Sequence, residues 1–175
     1  MNIFLLLVMV LLRLSGSCTV DGLIAVFFWF GALGRSYRFM ILPLSLVVGA
    51  DLFMAGFRYH HPLPATYLIV LGAYMLAWGV GRRAGQTTAA AILTSSALAF
   101  VGFFVLTNGA YWFENHLHNW ESLIVYLQGV SRYFALNLVV TVVFSGLLYS
   151  VRKLRASSSY LLSDRRRLTT GERKI

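Results

Sequence analysis

Six stretches of predominantly apolar residues, at 2–14, 23–34, 39–57, 65–81, 88–107 and 134–151, take up more than half of this 175-residue chain. A helical bilayer crossing needs about 20 such residues, because lipid offers no partner to a backbone N–H or C=O and the helix must satisfy them all. With 58% hydrophobic and only 12% charged residues, against about 25% charged in a soluble domain, a disordered chain is excluded and a water-soluble globule is a poor fit. The reading is an all-α membrane protein of six transmembrane helices, the first two short.

Basic residues choose between five and six crossings. The net charge is +9, and its distribution carries the information. Arg35 and Arg38 follow the second stretch, and Arg82 and Arg83 follow the fourth. Arg152, Lys153, Arg155, Arg165, Arg166, Arg167, Arg173 and Lys174 follow the sixth. With six spans and the N-terminus inside, 12 of the 15 basic residues are cytoplasmic; Arg13, Arg58 and Arg132 fall outside. That asymmetry is the positive-inside pattern. It divides the chain into a transmembrane domain, 1–151, and a basic cytoplasmic tail, 152–175, expected to fray or lie on the inner leaflet. The same composition turns the positive charge toward lipid rather than nucleic acid. Residues 1–18 have a small-residue stretch, SGSC, that would suit a cleaved leader, but no basic residue precedes their apolar core; they are read as a retained span.

Polar chemistry concentrates on the outer side. His60 and His61 lie between the third and fourth stretches, and His116 and His118 between the fifth and sixth, with Tyr111, Trp112, Glu114, Trp120 and Glu121. In the long connection at 107–133, Trp120, Leu123, Ile124 and Leu127 recur at helical spacing. They predict an amphipathic or re-entrant segment between helices five and six. Asp51, inside the third stretch, is the most informative single residue: an ionisable group in a span faces the bundle interior, a partner or a watery cavity. Thr107 and Asn108, at the outer end of the fifth stretch, are its nearest partners in depth.

Metal and catalytic signatures are sparse. His116 and His118 are two apart and share a face only in extended chain; with Cys18 they are the candidate metal ligands. No HExxH, CxxC, P-loop, GxGxxG or GxSxG spacing occurs, so the chain is read as a binding protein without chemistry on its ligand and without a cofactor. One cysteine excludes an intrachain disulfide.

The order of these features is familiar. PLSLVVGADLFMAG (residues 43–56), a His-bearing loop, a span ending GRR, and a span closing in FFVLTNGAYWF (residues 103–113) resemble a family of small uncharacterised bacterial integral membrane proteins. That family's fold is similar to the substrate-binding S-components of energy-coupling-factor (ECF) transporters. Pro43, Leu44, Asp51 and Leu52, then Phe104, Thr107, Asn108 and Trp112, carry the likeness, over roughly residues 10–150. It implies a six-helix S-component-like bundle in the bacterial inner membrane, both termini cytoplasmic. Such a bundle takes a vitamin-like small molecule, a metal or a corrinoid from the outer face. Most S-components hand over to a membrane coupling subunit with two ATPases; some small relatives act alone. The AxxxA spacing often used for docking on a shared coupling subunit is missing from IFLLLVMVLLRL (residues 3–14), which favours a solitary transporter or a different partner.

Together these readings give a substrate site of Asp51, Asn108, Tyr111, Trp112, Glu114, Trp120, His60 and His61. Asp51 and Asn108 would form a polar floor, the aromatics stacking walls, and the histidines a lid. The competing reading is an accessory subunit that scaffolds a larger membrane complex, with the same residues covered by protein partners.

Overall fold

A computed structural model describes residues 22–33, 36–60, 62–85, 88–115 and 119–169, and among them it contains helices and no strand. The helices are α1 (Leu23–Ala32), α2 (Arg38–Phe53), α3 (Tyr67–Ala84), α4 (Ala89–Asn115) and α5 (Trp120–Thr169). A single π-helical turn, Met54–Tyr59, prolongs α2. The expected first span, at 2–14, lies outside the described residues. Three helical stretches, Met40–Arg58, Ala89–Asn115 and Trp120–Leu154, are long and apolar enough to cross a bilayer.

Two of the expected boundaries are corrected. The fifth span does not stop at Thr107 but runs on to Asn115. Its polar residues bond back to carbonyls one turn earlier instead of breaking the helix. Thr107 Oγ1 donates to Phe103 O (2.9 Å), Asn108 Nδ2 to Phe104 O (3.0 Å) and Asn115 Nδ2 to Tyr111 O (2.9 Å). Nor is there a separate amphipathic or re-entrant segment before the last span. Residues from Trp120 onward are the first turns of α5 itself, which continues without interruption to Thr169. Asn119 starts it as an N-cap, its Oδ1 accepting the Ser122 N–H at 2.8 Å. No proline follows to break it, and its two glycines, Gly129 and Gly146, cost only about 1 kcal/mol each in a helix. The backbone of the basic tail is therefore helical through Thr169 rather than frayed.

At ten residues α1 is about 15 Å long, half a bilayer, and every one of its residues is buried. LIAVFFWFGA is hydrophobic all round, the pattern of a helix enclosed by others. It lies parallel to α3, and two glycines set the separation. A Cβ on Gly31 would fall on the Trp78 carbonyl oxygen and 2.8 Å from the Arg82 nitrogen. A Cβ on Gly81 would fall on the Phe28 carbonyl oxygen. Backbone thus meets backbone, the close approach that small residues permit between membrane helices. An aromatic chain then crosses the bundle. Phe27 stacks on Tyr74 (4.8 Å between centroids), Tyr74 meets Phe103 (4.8 Å), and Phe104 meets Phe134 edge-on (4.7 Å, 73°). α4 and α5 run antiparallel, with Gly146 of α5 making room for the Leu93 side chain of α4.

Candidate functional site

α2 and α4 run toward the end of the bundle where α3 and α5 begin, so the Asp51, Thr66–Tyr67, Asn108–Asn115 and Asn119–Tyr126 regions share that end. Four side-chain hydrogen bonds link neighbouring elements there. Tyr67 donates its hydroxyl to Asp51 Oδ2 (2.7 Å), joining α3 to α2. Thr66 Oγ1 donates to Glu114 Oε2 (2.7 Å), joining the start of α3 to the end of α4. Tyr126 donates to Asn108 Oδ1 (2.8 Å), and Trp112 Nε1 donates to Ser122 Oγ (3.3 Å); both join α4 to α5. Tyr111 stacks on Tyr126 at 5.9 Å. The three part-buried bonds, at Asp51, Asn108 and Trp112, hold polar groups that would be costly to leave unpaired; the Thr66–Glu114 bond is exposed.

Just below this layer is a cavity of about 290 Å³. Its lining is Ile24 of α1, Phe100, Phe103, Phe104 and Asn108 of α4, and Val130, Tyr133 and Asn137 of α5. Asn108 stands about 10 Å from the C-terminal end of α4, seven residues at 1.5 Å each. Its amide is held from both ends: Nδ2 donates to Phe104 O and Oδ1 accepts from Tyr126. Asn137 Nδ2 donates to Tyr133 O at 2.9 Å. The cavity therefore offers aromatic side chains, two amides and no charged side chain. That is the composition of a small-molecule pocket, apolar with a few placed polar groups.

Of the residues expected at the site, Asn108 is in this wall. Asp51, Tyr111, Trp112 and Glu114 lie at the same end, engaged by Tyr67, Tyr126, Ser122 and Thr66 respectively. Asp51 and Asn108 bond to different partners on different helices, so they do not form a shared floor through these contacts. Trp120 is 80% exposed. His60 is exposed as well and ends the π-helical turn in the left-handed region, with φ 54°. His61, His116, His118 and Cys18 lie outside the described residues. Among the described residues no three His, Cys, Asp or Glu side chains come together to hold a metal.

Phe100, Phe103, Tyr133, Asn137 and the anchoring Tyr67 and Tyr126 were not anticipated. For three of them a signal was present. Asn137 is an amide in the sixth apolar stretch, subject to the same reasoning as Asp51. Phe100, Phe103 and Phe104 recur at i, i+3 and i+4, the spacing that gathers side chains on one helix face.

The Asp51–Tyr67 bond invites a direct test. Tyr67→Phe keeps the ring and removes the donor, leaving the half-buried carboxylate one hydrogen bond poorer. The expected cost is about 1–3 kcal/mol, read as a lower unfolding temperature in detergent. Unchanged stability would assign the bond no role in holding α2 to α3.

Comparison with curated proteins and with solved structures finds no match. A family model matches residues 1–163, which include all six apolar stretches and the residues lining the cavity; the chain belongs to the family of unknown function DUF6580.

Proposed function

We propose that this protein is an S-component-like uptake protein of the bacterial inner membrane, a six-helix bundle with both termini cytoplasmic. In this reading it binds a small molecule from the outer face and passes it across without altering it. The observation that carries this reading is the aromatic cavity with two amides, near the end of the bundle that the basic residues mark as outer. Arg82 and Arg83 in the last turn of α3, and Arg152 and Lys153 at the end of the apolar part of α5, sit toward the opposite end of the bundle, in keeping with that orientation.

Transport in this scheme is alternating exposure. The connection leading into α3 is clasped on two sides, by Asp51 through Tyr67 and by Glu114 through Thr66. Parting those two bonds would release the connection from α2 and α4, and remaking them would hold it again. A membrane coupling subunit with ATPases would supply the energy if one is engaged; a solitary carrier would move its ligand down a gradient.

Mass spectrometry of the protein purified in nanodiscs tests the proposal. A small molecule is expected to co-purify with the wild type. Asn108→Leu, which removes the anchored amide and leaves Tyr126 without its acceptor, should retain at least about tenfold less, or 1.4 kcal/mol, while still inserting. Equal retention by the variant would remove the site from this cavity. An empty cavity together with large stoichiometric protein partners would favour the scaffold reading instead.

A further inference from the structure

We infer that the ligand of this cavity is a neutral, flat aromatic molecule of one or two fused rings, held by ring stacking and oriented by an amide edge. The inference deepens the uptake proposal and rests on its assignment of the cavity as the ligand site. Three observations carry it.

The first is the walls. Phe100, Phe103, Phe104 and Tyr133 present four rings around one space. The neighbouring rings of the bundle already associate at 4.7–5.4 Å between centroids, within the range of favourable aromatic pairs. A flat guest extends that array; a bulky or branched one would have to push its rings apart.

The second is charge. No lining residue is ionisable in the neutral range, and a charged guest would leave water for a mostly apolar, half-open cleft holding no counter-charge. That transfer is strongly unfavourable without a paired partner. The polar groups supplied are Asn108 and Asn137, whose amides can donate to and accept from a neutral guest. Asn108 is fixed beforehand by Phe104 O and Tyr126, so little ordering remains to be done when a guest arrives.

The third is size. At about 290 Å³ the space is at the lower end of ligand pockets, which run from about 300 to 1,000 Å³. A bicyclic ring system fits this scale, whereas a corrinoid macrocycle is far wider. A bare metal ion would find two amides there and none of the imidazole, thiolate or carboxylate donors that bind such ions.

Saturation-transfer NMR on the protein in nanodiscs, against empty nanodiscs, tests this with four probes. Indole is the neutral bicyclic ring, tryptamine and indole-3-acetate add a positive or a negative charge to it, and decane stands for an acyl chain. Indole is expected to bind at least tenfold more tightly than either charged analogue and to resist displacement by an equal concentration of decane. Val130→Trp, which plugs the cavity, should abolish the indole signal, and Val130→Phe, a smaller plug, should weaken it.

Equal or tighter binding of tryptamine or indole-3-acetate, still lost on plugging, would overturn the ligand class while leaving the cavity as the site. Displacement by decane would assign the space to lipid chains and overturn the inference. Indole binding unaffected by either plug, in protein that unfolds at the wild-type temperature, would overturn the cavity assignment and the uptake proposal's site together. The absence of any indole signal would overturn the inference as well.

Discussion

Gly81→Ala is expected to destabilise the protein by about 3 kcal/mol or more, a larger effect than adding one methyl group suggests. The new Cβ would land on the Phe28 carbonyl oxygen, with Phe28 C at 2.7 Å and Ala32 N at 3.1 Å. All three are backbone atoms of α1, so no side chain can turn aside. The two helices must separate, and the same displacement would open the reciprocal contact at Gly31. Overpacking of a core typically costs about 1–3 kcal/mol where neighbours can adjust; here the obstacle is a helix backbone buried on every side. Gly79→Ala is the control on the same helix: a Cβ there meets nothing within 4 Å, and helix propensity favours alanine over glycine. Thermal unfolding of both variants in detergent reads the difference. If Gly81→Ala melts with the wild type, the backbone-to-backbone crossing of α1 and α3 is not the arrangement in the membrane.

Tyr74→Ala should cost about 3–5 kcal/mol, the range for removing a large buried aromatic residue. It is wholly buried, and its ring lies between Phe27 of α1 and Phe103 of α4 at 4.8 Å from each. The consequence reaches function, because Phe103 is part of the cavity wall. With its support gone, Phe103 can relax toward the void left by Tyr74, and ligand retention should fall although Tyr74 does not line the cavity. Tyr74→Phe preserves both ring contacts and should preserve retention. Leu68→Ala, one and a half turns away and 75% exposed, should leave both measurements close to wild type. Loss of stability without loss of retention would separate the aromatic chain from the site.

The helical nature of the described chain was legible from apolar run length, because backbone hydrogen-bond satisfaction in lipid leaves few alternatives. Boundaries were less so. Hydropathy falls at Thr107 and Asn108, and a window over composition reads that fall as a helix end. It cannot register that both side chains bond to their own helix at Phe103 and Phe104. The amphipathic spacing from Trp120 to Leu127 was a correct sign of helix; whether that helix stood apart or continued into the last span depended on Asn119 capping it and on nothing interrupting it afterward.

The residues at the end of the bundle where α3 and α5 begin show the same division. Asp51, Trp112 and Glu114 stand out because their side chains are polar or amphipathic in an apolar chain, and each is engaged at that end. Their partners do not stand out. Tyr67, Ser122 and Thr66 are ordinary residues near helix starts until antiparallel neighbours bring them within 2.7–3.3 Å.

Side-chain solubility is a local property, and it is enough to indicate helices apolar and long enough to cross a membrane. Position in the bundle is not local. That Leu23–Ala32 is enclosed on all sides depends on two glycines, 50 residues apart, meeting across a helix crossing. That a space remains among Phe100, Phe104, Tyr133 and Asn137 depends on how three helices pack. A cavity is what side chains from distant segments fail to fill, and no single segment records it.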